Sequence, residues 1–574
     1  MLKRKVLGIV LLHAMLLPTL ALGQTAPKIY EAPKDVFDKI KDEGMNRSQV
    51  MKTMNYMTDV NGPRLTGSPG MKRANEWTRD TLASWGLQNA HLDSWGPFGR
   101  GWTLKRYTAM VDGLTSFPFL SYPKAWSPGT DTLKPASGSA YTAEVVHFNA
   151  TKAEDLEKFK GKLKGKVVLI SPMREVKAWM DAPGKRFTDK ELLDMANAPD
   201  PAAPRPQGAS APTPGNFGQG QAGFNTLRWR FLADEGAAVL IDTAAKGDGG
   251  TIFVQGAQAV PPATPTPGQP PMNVRTKGAN VPIQISAAVE HYNRVIRMIE
   301  AGQKVTMTVD LAVEFQDADL NSYNTIAEIP GTDKADEIVM LGGHLDSWHG
   351  GTGATDNAAG CSVMMEAVRI LQATGLKPRR TIRVALWSGE EQGLLGSRAY
   401  VRKHFGYRGD GTTPQFGGGG GGGGQAQLPL TKLPAYDKFS AYYNIDNGTG
   451  KIRGVYLQGN NAVQPIFRQW LAAFRDPKWW KADFDPSKDT DMSAFTLTPA
   501  NTGGTDHQAF DAVGLPGFQF IQDPVEYSTR THHSNMDSYD RIQADDMKQM
   551  SIVLAMFVYQ SAMMDEKIPR KPMP

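Results

Sequence analysis

Apolar residues along the chain fall into short β-branched runs, separated by polar turns and by stretches with helical spacing. EIVML before Gly342, TIRVALW before Ser388 and SAYY before Asn444 have strand length, and unbroken apolar runs of that length predict strands covered on both faces. Downstream of Asp356, CSVMMEAVRILQATG spaces its apolar residues as a helix does and meets a stop at Gly375. Strand, loop, helix and strand thus follow one another as a βαβ unit. The stretch before GGHLDSW is too long for a loop and carries strand signals of its own: GSAYTAEVVHF, GKVVLIS, AAVLIDT and VPIQISA, with a helical FNTLRWRFLADEG between the second and third. The pattern predicts an α/β protein of more than one unit.

The polar residues that follow the three strands are of one chemical kind. His344 and Asp346 lie in GGHLDSW, Asp356 in ATDNAAG, Glu390 and Glu391 in WSGEEQG, Asp446 in YYNIDNG and His533 in THHSNMDS. Open α/β sheets place their sites where strands end. Imidazole nitrogen and carboxylate oxygen suit a divalent cation such as zinc. Two histidines and three carboxylates, one of them bridging, can hold a pair of ions ~3.5 to 4 Å apart that share and activate a water. Adjacent Glu390 and Glu391 cannot both point the same way in extended chain, so one can ligate while the other acts as general base. A lone match carries little weight: HLDSW also occurs at His91–Trp95, with no DN or GEE segment after it, and is read there as chance or packing.

These segments resemble the co-catalytic zinc aminopeptidase family, and within it the plasma glutamate carboxypeptidase (carboxypeptidase Q) branch. The likeness runs from NGPRLTGSPGMKRANEW at Asn61–Trp77 through SYNTIAEIPGT, GGHLDSW and WSGEEQGLLGS to THHS. It implies an α/β/α sandwich with a mixed sheet and two zinc ions per chain. His344 and Asp446 would hold one zinc, Glu391 and His533 the other, with Asp356 bridging and Glu390 as general base. Asp346 would orient the first histidine without touching metal. His533 is preferred to His532 because the family's last ligand precedes an acidic residue by four positions, where Asp537 stands. Several members carry tyrosine just before that ligand; this chain has His532, expected to donate a hydrogen bond to the tetrahedral oxyanion. GGTDHQAF resembles the family loop on the substrate side, so Asp506 and His507 are expected to contact the substrate amino terminus or a metal's outer shell, or else to cap the AFDAV run.

GKLKGKVVLIS followed by LADEGAAVLID resembles a protease-associated domain inserted in the peptidase. The expected order is a signal peptide (1–23), the amino-terminal part of the peptidase domain (24–119), the insertion (120–300), the catalytic domain (301–565) and a tail (566–574). The resemblance favours an aminopeptidase or dipeptidase acting on peptides. The alternatives are a carboxypeptidase for terminal acidic residues, a binding protein on the same scaffold, or cyclase-like acyl transfer at one zinc, which His344 disfavours. The branch also implies a homodimer.

Composition adds three points. The 574 residues suffice for about three to four average domains, and 40% hydrophobic with 21% charged residues is ordinary globular composition. The basic start at Lys3–Lys5, the apolar VLGIVLLHAMLLPTLALG and the small residues before Gln24 form a secretory leader. Cleavage is expected after Gly23, which places the protein in the periplasm or the medium. Losing Lys3, Arg4 and Lys5 takes the formal charge from +5 to +2, and the basic runs with interleaved aromatics that bind nucleic acid are missing. Cys361 is the only cysteine; it cannot form an intramolecular disulfide and is expected to be a small buried residue. The Pro-, Gly- and Ala-rich stretch near Ala196–Gly223 and the run Gly417–Gly424 are expected to be surface loops.

Overall fold

The chain builds two sheets in turn. The computed structural model describes residues 28–136, 138–201, 219–262, 273–410 and 428–572; the leader, residues 202–218 and the glycine run lie outside the described residues. The first strand, β1 (Gln88–Trp95), belongs to the first sheet. The chain then leaves for a second sheet through β2 (Gly101–Asp112), β3 (Phe117–Pro118), β4 (Ser121–Pro123), β5 (Tyr141–His147), β6 (Val167–Leu169), β7 (Val239–Thr243), β8 (Ile283–Ala287) and β9 (Thr306–Gln316). It returns with β10 (Ser322–Ile329), β11 (Lys334–His344) and β12 (Arg380–Trp387). A short ribbon, β13 (Gly406–Arg408) and β14 (Leu430–Lys432), precedes β15 (Phe439–Asn444), β16 (Ile452–Tyr456), β17 (Thr496–Thr498) and β18 (Gly517–Gln522). The strands of the second sheet span a longer stretch than the 120–300 expected for the insertion.

Among the described residues each of these two sheets has eight strands and is mixed, in the orders β1-β10-β12-β11-β15-β18-β16-β17 and β3-β2-β9-β5-β6-β7-β8-β4. The three runs picked out by pattern are neighbours in the first: β11 pairs parallel with β12 on one side and with β15 on the other. The helix Ala359–Ala373 crosses between β11 and β12, completing the expected βαβ unit. One face of this sheet is covered by the helices Lys34–Asn46, Ala359–Ala373 and Ala544–Met563, whose Ile40, Val363, Ile370, Leu554 and Phe557 are fully buried. On the other face, Trp387, Tyr400, Phe405, Tyr442 and Phe510 pack around the helices Leu395–His404 and His507–Asp511. The result is the expected α/β/α sandwich. Burying aromatic and branched side chains on both faces of β11, β12 and β15 is what fixes their carboxyl ends against one another.

The second sheet follows a different logic. Along β9, TMTVDLAV alternates half-buried and buried positions, which turns Met307, Val309 and Leu311 toward a separate core with Val167, Val239, Ile283 and Tyr292. Among the described residues no helix is long and apolar enough to cross a membrane.

Candidate metal centre

The three parallel strands deliver their carboxyl-end residues to one spot. His344 is the last residue of β11, Glu390 and Glu391 follow β12, and Asp446 follows β15. Asp356 comes from the turn before the helix Ala359–Ala373, and His533 from the loop after the turn Tyr527–Thr531. Here the Asp356 carboxylate faces two ways. Its Oδ1 lies 3.2 Å from His344 Nε2, which is itself 3.6 Å from Asp446 Oδ2. Its Oδ2 lies 3.2 Å from His533 Nε2, which is 2.9 Å from Glu391 Oε2. Glu390 stands at the edge of the group, with Oε2 4.0 Å from His344 Nε2.

The supports are as specific as the candidate ligands. His344 Nδ1 meets the backbone carbonyl of Asp346 at 3.0 Å, closer than the Asp346 carboxylate at 3.6 Å. That carboxylate accepts hydrogen bonds from Thr66 Oγ1 (2.9 Å), Glu390 N (3.2 Å) and Glu391 N (3.3 Å). Asp346 thus ties the GEE loop to the histidine strand. Asn357 donates to the Ile445 carbonyl at 2.8 Å and accepts from Gly360 N at 3.0 Å. A Cβ on Gly360 would sit 2.6 Å from that same carbonyl oxygen, so the Asp356 turn and the Asp446 loop can meet because Gly360 has no side chain. Asp537 accepts the Thr355 amide at 2.5 Å. The fully buried Arg64, in the NGPRLTGS motif, donates to the carbonyls of Leu345, Thr352 and Gly353.

Electrostatically the centre calls for positive charge. Burial disfavours a proton on His344, yet Asp446 and Glu390 outweigh it and hold that imidazole well above its usual range. Burial likewise opposes a proton on His533, and Glu391 and Asp356 lift it to about 10. Glu390 is pushed up by burial and by repulsion from Asp446, Asp506 and Glu391, against the pull of His344. His344 Nε2, Asp356 Oδ2 and Glu391 Oε1 are buried atoms without a hydrogen-bond partner. Buried donors and acceptors of this kind, two imidazoles among clustered carboxylates, form a donor set that fits divalent cations.

Of the adjacent histidines, His533 is the one between Glu391 and Asp356. His532 Nε2 lies 3.9 Å from Asp356 Oδ2, close enough for His532, His533 and Asp356 also to form a candidate ligand group. Its ring packs 4.8 Å from that of Tyr527, and burial pushes it down to about 4. Asp506 and His507 are fully buried. Asp506 precedes the helix His507–Asp511 without capping it through its side chain. Burial raises it to about 7, against the pull of His344. His507 Nε2 meets the Thr502 carbonyl at 3.1 Å.

Pattern reading missed three residues around the centre. Arg64 lies inside a quoted motif but was given no role. Tyr527, buried and within electrostatic reach of Asp356, Asp446, Glu391 and Glu390, is five positions from His532, outside any local signature. Gln255 reaches His533 from the connection between β7 and β8 of the second sheet. The first HLDSW copy is β1 itself: Trp95 Nε1 donates to Ser388 Oγ at 3.0 Å, and a Cβ on Gly389 would meet the Trp95 ring at 2.8 Å. Packing, rather than chance, accounts for it. Cys361 is buried, with its Sγ 3.0 Å from the His344 carbonyl oxygen.

Known proteins are similar to this chain. Residues 324–558 match the model of peptidase family M28. Mouse carboxypeptidase Q is 28% identical over 282 residues, 49% of this chain and 50% of the relative. A probable leucine aminopeptidase 2 of Aspergillus fumigatus is 35% identical over 222 residues, 39% of this chain and 37% of the relative. The chain spans about half the length or less of these curated relatives. The crystal structure of a peptidase M28 precursor from Shewanella amazonensis SB2B shares the fold, with a TM-score of 0.57 and 22% identity over 94% of this chain and 98% of that one. Over residues 324–558, which carry the candidate centre, the chain is thus similar to peptidase family M28.

Proposed function

We propose that the protein is a two-zinc exopeptidase that hydrolyses the terminal bond of short peptides, as an aminopeptidase or dipeptidase. The observation that carries this reading is the double-faced contact of Asp356, with His344 and Asp446 on one side and His533 and Glu391 on the other. His344 and Asp446 would hold one ion, His533 and Glu391 the second, and Asp356 both. Zinc bound there supplies the Lewis acidity that polarises a peptide carbonyl and makes water acidic near neutral pH.

The chain's own residues do the rest. Glu390, at the edge of the cluster, accepts the proton of the attacking water and passes it to the leaving amine. His532 donates to the oxyanion, a contribution typically worth about 3 to 4 kcal/mol in the transition state. Its neutral imidazole keeps one N–H for that purpose. Asp506, buried and within electrostatic reach of His344, stands with His507 where it can act on the substrate amino terminus or from a metal's outer shell.

A second reading, removal of a carboxy-terminal residue, draws support from Arg398. Its guanidinium lies within electrostatic reach of Asp506 and Glu390 and could receive a terminal carboxylate. We further propose that the second-sheet unit contains the protease-associated insertion expected at about residues 120–300, that a leader sends the protein to the periplasm or medium, and that two chains pair as a homodimer.

The test is hydrolysis of a dipeptide panel by the purified mature protein, each substrate with a free or acetylated amino terminus, before and after chelation and return of zinc. Zinc-dependent cleavage of free amines alone is expected. Cleavage of blocked substrates would move the reading to a carboxypeptidase, and zinc-independent or absent cleavage would overturn both.

A further inference from the structure

The loop that carries His533 is held by the second sheet's unit rather than by its own domain alone. On one side, Lys185 forms a backbone bridge to Val525, and Thr529 Oγ1 donates to the Pro183 carbonyl at 2.7 Å. On the other, Lys246 Nζ donates to the Ser528 carbonyl at 2.9 Å, and Phe253 bridges Ser534. Ile252 N donates to Asn535 Oδ1 at 2.7 Å, and Val254 N to the carbonyl of His533 itself at 3.0 Å. His533 sits at φ +61°, a left-handed conformation that a side-chain-bearing residue adopts at a cost and keeps when its surroundings impose it.

Within this frame the amide nitrogen Nε2 of Gln255 is placed 2.9 Å from His533 Nδ1. An imidazole that presents the Nε2 lone pair to a cation keeps its proton on Nδ1, and that N–H needs an acceptor. The Gln255 amide has one end of each kind, and a half-turn exchanges them. With Nε2 committed to a cation, the end facing Nδ1 is the carbonyl oxygen. His344 obtains the equivalent support from the Asp346 carbonyl two residues along its own strand end. His533 has to obtain it from the connection between β7 and β8, outside its own sheet.

We infer that Gln255 is a positioning residue for the metal centre: its side-chain carbonyl accepts the Nδ1–H of His533, fixing the tautomer and ring direction that aim Nε2 between Glu391 and Asp356. The second sheet's unit is thereby part of the metal site. This rests on the reading of His533 as a zinc ligand.

The test measures zinc, not turnover. Zinc per chain and the affinity of each site, from competition with a chromophoric chelator, are compared for wild type, Gln255→Leu, Gln255→Glu and His533→Ala, with the Tm of each zinc-free protein alongside. Gln255→Leu is expected to weaken one of two sites by about 10- to 100-fold, leaving the other site and the zinc-free Tm unchanged. Gln255→Glu, which still offers an acceptor, is expected to bind at least as tightly as wild type. Wild-type affinity at both sites in Gln255→Leu would overturn the inference. So would a loss that follows a lowered zinc-free Tm and is not rescued by Gln255→Glu. If His533→Ala keeps both zincs at full affinity, the ligand assignment fails instead, and the inference falls with it.

Discussion

The Asp346 carboxylate accepts the backbone amide of Glu390 at 3.2 Å, so the residue read from sequence as a prop for His344 also sets the position of the proposed general base. With a second oxygen on Glu391 N and Thr66 Oγ1, it joins the ends of β11 and β12. Asp346→Asn turns one acceptor into a donor facing these N–H groups. The expected result is a fall in kcat of about 10- to 100-fold, the usual range for outer-shell partners, in a protein with wild-type circular dichroism. An unchanged kcat would remove Asp346 from the machinery.

Glu390 and Glu391 should separate cleanly. Glu390→Gln keeps its shape but cannot take a proton, so kcat should fall by about 10²- to 10⁴-fold while zinc per chain stays at the wild-type value. Glu391→Gln should lose zinc first. Zinc content beside single-turnover rates for the two variants checks the division; the opposite pattern would exchange their roles.

Arg64 tests the scaffold. Replacing it by methionine leaves the carbonyls of Leu345, Thr352 and Gly353 without their buried donor, at about 1 to 3 kcal/mol for each unpaired group. The expected loss is at least about 3 kcal/mol, read from the urea midpoint. A variant within about 1 kcal/mol of wild type would mean that water or a local shift satisfies those carbonyls.

His349 carries a pH dependence whose sign follows from its burial. It is enclosed by Trp102 and Tyr122, with Nε2 donating to the Pro123 carbonyl at 2.7 Å, and burial pushes it down to about 4. The unfolded chain, titrating near 6.5, takes up the proton first. Stability from this group is therefore complete above about pH 6.5 and declines as pH falls toward 4, by about 2 kcal/mol at pH 5. Urea unfolding at pH 7 and pH 5 should show a drop larger by that amount in wild type than in His349→Gln. Equal drops would contradict it, and contributions common to both proteins cancel.

Much of the catalytic half was legible because its determinants are local. EIVML, TIRVALW and SAYY each announce a buried strand, and the ligand follows within a few residues, so pattern and chemistry coincide. Of the adjacent histidines, His533 has its Nε2 closer to Asp356 and also meets Glu391. The rest depends on contacts between distant segments. Gln255 is 278 residues from His533, and nothing around it marks a polar side chain as special. Trp95 supports the GEE loop from 293 residues away. For the same reason the edge of the second sheet escaped reading: β2 and β9 are far apart in sequence and show which sheet they join only once they are paired.

That pairing has an evolutionary side. Gly101 and Gln316 stand opposite each other at the open end of the β2–β9 ladder, so the whole second-sheet unit enters and leaves through adjacent points, the geometry in which a domain can be gained or shed with little disturbance to its host. The tie between Gln255 and His533 makes such a loss costly here. A lineage that discarded the unit would have to recruit a new acceptor for its last histidine, and one that kept it would be held to a glutamine, or a residue of like function, at a position far from the reaction it serves.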